Sequence, residues 1–119
     1  MFEITKEHHF SASHRLEGVP DGHPCGYLHG HNYIVEAVLA SDELDEAGFV
    51  RDYGDLAPLW AYVDDTLDHA HLNDQLPCKT SAESIARHLY EYIKPELPEL
   101  VAMRVSETPK AWAEYRPKA

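Results

Sequence analysis

Three histidines and a cysteine lie close together early in this chain: His14 in Phe10-Ser11-Ala12-Ser13-His14-Arg15-Leu16, then Cys25, His29 and His31 in Cys25-Gly26-Tyr27-Leu28-His29-Gly30-His31. In an extended segment residues two apart project to the same face, so His29 and His31 point one way. A neighbouring strand that carries His14 supplies a third nitrogen. Three imidazoles and one open position make the ligand set of a catalytic zinc site. Imidazole-only ligation favours Zn2+ among the common metals. His8, His9, His23 and His88 have no spacing that asks for more than surface or packing roles.

Cys25 admits two functional readings at this point. It is either a fourth zinc ligand, closing the site into a non-enzymatic one of one Cys and three His, or a base or nucleophile held beside an open site. Asp68-His69 sets a carboxylate next to an imidazole. The plain account is a histidine complementing the dipole at a helix C-terminus. The chemical account is a proton relay in which Asp68 orients His69, with His71 competing for the role. Glu107 follows Val101, Met103 and Val105 on one parity and ends an apolar face. A carboxylate there either sits at the sheet rim or takes a ligand with two adjacent N–H groups.

The elements that must position these residues are readable from periodicity. Residues 2–16 form a strand in which Phe2, Ile4, Phe10, Ala12 and His14 share a parity. Residues 17–27, rich in Gly and Pro, form a loop. Residues 28–40 form a second strand, antiparallel to the first, and 42–48 an acidic solvated turn. Leu56, Leu59, Trp60, Val63 and Leu67 recur at helical spacing. Pro58 fits only a first turn, so that helix runs from Gly54 or Asp55 to near Asp68. Thr80-Ser81-Ala82-Glu83 reads as a capping box with Thr80 as the cap, opening a helix that buries Ile85, Leu89, Tyr92 and Ile93 and stops at Pro95. Val101, Met103 and Val105 mark a third strand, Pro109-Lys110 a turn, and 111–116 a fourth strand. The fold class is therefore α+β, in the order β-β-α-α-β-β, with a four-stranded antiparallel sheet and two helices on one face. Its open edges invite association into a larger sheet or barrel.

Composition narrows the function classes. The 119 residues suit one domain, 1–119. The formal net charge of −11 argues against a nucleic-acid surface while allowing a local site for a small anion. No stretch is apolar enough to span a membrane, and Met1-Phe2-Glu3-Ile4-Thr5-Lys6 has no signal-peptide pattern, so a cytoplasmic protein is expected. A Cys25–Cys78 disulfide is not expected in that compartment.

Taken together, His14-Arg15-Leu16, Cys25-x-x-x-His29-Gly30-His31-Asn32-Tyr33, Leu67-Asp68-His69-x-x-Leu72-Asn73 and Ser106-Glu107-Thr108 resemble the 6-pyruvoyl-tetrahydropterin synthase superfamily, in order and over nearly the whole chain. The short gap from Cys25 to His29 and the segment Pro20-Asp21-Gly22-His23-x-Cys25-Gly26 are more similar to its 6-carboxy-5,6,7,8-tetrahydropterin synthase branch, which serves queuosine synthesis. The resemblance implies a tunnelling fold (T-fold) whose trimers close a barrel and stack as a hexamer, with active sites between subunits. It implies Zn2+ on His14, His29 and His31, Cys25 as the catalytic thiol, and Asp68 with His69 as the relay. Glu107 would anchor the pterin through its 2-amino and N3 hydrogens. The implied substrate is 7,8-dihydroneopterin triphosphate. The 6-carboxy product and the 6-pyruvoyl product are both compatible with these residues. The chain departs from the family's pattern where Thr80-Ser81 stands in place of Pro-Thr, and Lys6, Arg15 and Lys79 are the candidates for holding a triphosphate.

Overall fold

The computed structural model describes residues 1–118. Strand β1 (Phe2–His14) is followed by a 3₁₀ turn at Pro24–Gly26 and by β2 (His29–Ser41). Helices α1 (Ala57–Tyr62), α2 (Leu72–Gln75) and α3 (Ala82–Ile93) come next, and β3 (Leu100–Thr108) and β4 (Ala111–Tyr115) close the chain. All strand pairs are antiparallel, in the order β1-β2-β3-β4. The expected α+β architecture is present, with the two predicted helices at α1 and α3 and the single-turn α2 added between them.

Strands β1 and β2 pair continuously from Phe2↔Ser41 to His14↔His29. The face carrying Phe10, Tyr33, Val35, Ala37 and Leu39 is buried against the helices. Burial of each large apolar side chain there contributes about 1.5–3 kcal/mol before entropy is counted. The predicted parity of β1 holds from Ile4 onward, but Phe2 lies half-exposed at the open end of the hairpin.

Three local expectations are corrected. The helix predicted over 54–68 is not uniform. It begins as a 3₁₀ turn (Tyr53–Leu56) capped by Asp52, continues as α1 with Pro58 in its first turn, and widens into a π turn over Val63–Leu67. The cap of α3 is Ser81, whose hydroxyl accepts from the Ser84 N–H at 3.2 Å, so the box centred on Thr80 is displaced by one residue. Thr80 is instead turned inward and buried. The apolar stripe of α3 is Ile85, Leu89 and Ile93 with Tyr90; Tyr92, predicted to be buried, is exposed and stacks on Tyr62. A helix needs a stripe wider than one row, and here the buried face widens through Ala82 and Ala86 toward Tyr90 rather than toward Tyr92.

Ser81→Ala should lower the unfolding free energy by about 1 kcal/mol in urea titrations, with Glu83→Ala costing less. The reverse ranking would restore the cap to Thr80.

Candidate metal centre and adjoining grooves

His14 is the last residue of β1 and His29 the first of β2, and the two are direct cross-strand partners. His31 lies opposite Ala12, a small residue that leaves the ring room. The three rings are set edge-on to one another, with centroids 4.5, 5.1 and 4.8 Å apart. His14 Nε2 and His29 Nε2 are 2.9 Å apart. The outer nitrogens are committed elsewhere: His14 Nδ1 lies 2.8 Å from the Thr80 carbonyl, and His29 Nδ1 lies 2.7 Å from the Tyr27 carbonyl. A carbonyl can only accept, so each of these Nδ1 atoms carries a proton and each Nε2 is the nitrogen turned to the interior of the group.

Glu107 completes the cluster. The register of β3 with β4 shifts between Ser106↔Trp112 and Thr108↔Ala111, which leaves Glu107 as an unpaired bulge residue. The Ser106 hydroxyl donates to the Thr108 carbonyl inside this bulge. Bulges re-aim side chains, and here Glu107 Oε2 comes within 2.8 Å of His31 Nε2 and 3.6 Å of His14 Nε2. One ligand atom from each of His14, His29, His31 and Glu107 falls within 4.8 Å of the others.

These residues fit a metal ion on physical grounds. His31 Nε2 is buried and makes no hydrogen bond despite its nearness to Glu107. Burial pushes the pKa of His14 and of His31 below the ordinary imidazole value, against the opposing pull of Glu107. Neutral imidazoles with converging lone pairs have no mutual attraction; a cation between them supplies it. Cys25 is not part of this group. It sits in the 3₁₀ turn, partly exposed and free, with its carbonyl accepting from the Leu16 N–H at 2.8 Å. The fourth member of the group this chain assembles is the carboxylate of Glu107, in place of the Cys25 sulfur of the closed reading.

Asp68 and His69 are held at the free edge of β1. The π turn closes with the Asp68 N–H on the Val63 carbonyl at 2.9 Å and delivers the chain to this edge. Asp68 Oδ1 accepts from the Ser11 N–H at 2.9 Å, and the His69 N–H donates to the Ser11 carbonyl at 2.6 Å. Asp68 Oδ2 lies 2.9 Å from His69 Nδ1. The Ser11 N–H, then His69, hold the Asp68 carboxyl below its ordinary range, so it stays ionised. His69 has φ of 59°, a left-handed conformation that a non-glycine residue adopts at a cost of about 1–3 kcal/mol. His69 directly follows Asp68, the residue that caps the π turn, and its Nδ1 is turned to the Asp68 carboxylate. Its competitor His71 is tied to the Ser13 hydroxyl at 2.9 Å.

His31 is the junction of two openings. A groove of about 500 Å³ runs from His31 and Asn32 to His69 and His71. A pocket of about 360 Å³ joins His31 and Glu107 to Thr108 and Trp112. Cys25 lines neither. The part played by Tyr33 was not legible beforehand. Its hydroxyl is buried without a partner, its ring packs edge-on to His14 and His31, and burial followed by Glu107 raises its pKa, keeping it protonated. Its parity with His29 and His31 was the available signal.

This arrangement has counterparts. Residues 3–118 match the family described as 6-pyruvoyl tetrahydropterin synthase. A 6-carboxy-5,6,7,8-tetrahydropterin synthase of Bacillus subtilis is 34% identical, over 98% of this chain and 86% of its own length. One from Synechocystis is 35% identical over 97% and 93%. Among solved structures, the 6-pyruvoyl tetrahydropterin synthase of Caenorhabditis elegans superposes with a TM-score of 0.85 at 27% identity, covering 98% of this chain and 96% of that one. By fold, by sequence and by the enzymatic character of its relatives, the chain belongs to the 6-pyruvoyl tetrahydropterin synthase family of enzymes.

Proposed function

We propose that the protein converts 7,8-dihydroneopterin triphosphate and water to 6-carboxy-5,6,7,8-tetrahydropterin, acetaldehyde and triphosphate, as a Zn2+-dependent lyase of the cytoplasmic queuosine/7-deazapurine pathway. The observation that carries this reading is the convergence of His14, His29 and His31 beside an open pocket, in a chain whose curated relatives bear that activity's name.

His14, His29 and His31 would hold the ion through Nε2, with Tyr27 and Thr80 carbonyls fixing two of the rings. When bound, the ion supplies Lewis acidity that makes protons beside a substrate hydroxyl removable near neutral pH. Cys25, as thiolate, is assigned the removal of a proton from the substrate side chain. His69, oriented by ionised Asp68, moves a second proton. Elimination releases triphosphate, and a water-dependent retro-aldol cleavage releases acetaldehyde. Glu107 accepts the pterin's 2-amino and N3 hydrogens in the pocket it shares with Trp112.

The reading extends to a hexamer of two stacked trimers with shared active sites. Both β1 and β4 are sheet edges, and Phe2, Tyr27 and Leu28 expose large apolar surfaces, which supports closure by further copies. Cys25 lies outside the His31–His69 groove of its own chain, and this reading brings it to the groove of a neighbouring copy. A second reading, the 6-pyruvoyl product from the same substrate, is favoured by the likeness to the Caenorhabditis elegans structure.

Zinc-loaded protein given 7,8-dihydroneopterin triphosphate should release acetaldehyde in step with triphosphate. A pyruvoyl product without acetaldehyde would establish the second reading. Cys25→Ala should retain zinc by metal analysis while turnover falls at least about 10²-fold; loss of zinc would make Cys25 a ligand. Glu107→Gln should keep zinc and raise the pterin KM roughly tenfold or more. Zinc loss there would move Glu107 from the pterin to the metal.

A further inference from the structure

We propose that Arg15 and Lys79 form an oligophosphate subsite beside the histidine group; that its ligand is the phosphate tail of the substrate rests on the pterin reading above. In this acidic chain, arginines are neutralised by carboxylates. Arg51 pairs with Asp55 and Glu99, Arg87 with Glu91, Arg104 with Glu36, and Arg116 with Glu114. Among the described residues Arg15 alone of the five arginines makes no ion pair, and none of the lysines, Lys79 included, makes one. Two uncommitted cations line one cavity of about 370 Å³, within the size range of small-molecule sites.

Both residues line the cavity. Arg15 leaves the end of β1, with its backbone fixed on both sides: the Arg15 N–H donates to Asn73 Oδ1 at 2.9 Å, and Asn73 Nδ2 donates to the Arg15 carbonyl at 2.8 Å. Lys79 precedes α3 and extends toward the facing loop, where its Nζ lies 3.7 Å from the position of a Cβ on Gly18. A planar guanidinium engages phosphate bidentately and an ammonium adds a point charge.

Two observations tie the cavity to the metal group and to a ligand. Arg15 directly follows His14, and Thr80, which lines the cavity, gives its carbonyl to His14 Nδ1. The cavity therefore adjoins His14 twice, through the chain at Arg15 and through the hydrogen bond to Thr80. The Thr80 hydroxyl is itself buried and unpartnered, with the residue 2% exposed. A polar group in that state is costly unless something bonds to it. The positive end of α3, capped at Ser81, borders the same space. Glu17 is the single acidic residue of the lining, so its removal favours an anion.

Calorimetric titration of the zinc-loaded protein with inorganic triphosphate, with zinc retention checked, tests the subsite. Arg15→Ala and Lys79→Ala should each weaken binding roughly tenfold or more, and Glu17→Gln should tighten it. Lys110→Ala, a lysine outside the cavity, should change nothing. Affinity for unphosphorylated 7,8-dihydroneopterin should be unchanged in all four. Arg15 and Lys79 are exposed, so these variants should melt as the parent does. Unaltered triphosphate affinity in both alanine variants, or equal loss for the unphosphorylated pterin, overturns the proposal. Triphosphate binding that depends on Arg15 and Lys79, in a protein that does not turn over the pterin, would leave the subsite standing and remove the pterin reading instead.

Discussion

The antiparallel register of β1 with β2 governs everything else in this molecule. It sets His14 opposite His29 and Ala12 opposite His31, at the one end of the hairpin where the core gives way to polar residues. Side-chain direction alternates along a strand, so a slip of one residue would send His29, His31 and Tyr33 to the opposite face together. The slip is prevented by the same pairing further along, where Phe10 stacks on Tyr33 and Val35, Ala37 and Leu39 fill the core. The hydrophobic stripe therefore fixes where the three histidines stand, and the Thr80 and Tyr27 carbonyls then set two of the rings.

Around that fixed centre the chain uses irregular backbone to bring in what a regular sheet could not. The bulge at Glu107 turns a carboxylate from the sheet rim toward the histidines. The π turn at Val63–Leu67 and the left-handed His69 lay Asp68 against the edge of β1. Each departure from ideal geometry costs stability, and each occurs beside a residue with a chemical assignment. The neutral, desolvated imidazoles add to that cost until a cation is shared among them.

How much of this could be read beforehand follows from the range of the interactions. The hairpin, the four strands and the parity of His29 with His31 are set by alternation over a few residues, and they were legible. The displaced cap at Ser81 and the exposure of Tyr92 depend on how α3 meets the sheet, which no local pattern encodes. The approach of Glu107 to His31 depends on a register shift between β3 and β4, and the π turn on a bond from Asp68 back to Val63. Periodicity counts residues and cannot foresee where a ladder skips one. The separation of Cys25 from the histidine group likewise depends on the path of a Gly/Pro-rich loop, for which four residues of spacing gave no direction.

The central claim is that three imidazoles, and no thiol, meet at one cation. X-ray absorption at the zinc edge of the loaded protein reads the bound shell directly. It should show three imidazole nitrogens at about 2.0–2.1 Å and no sulfur. A scatterer at about 2.3 Å, the zinc–thiolate distance, or a shell with fewer than three imidazoles, would contradict the account.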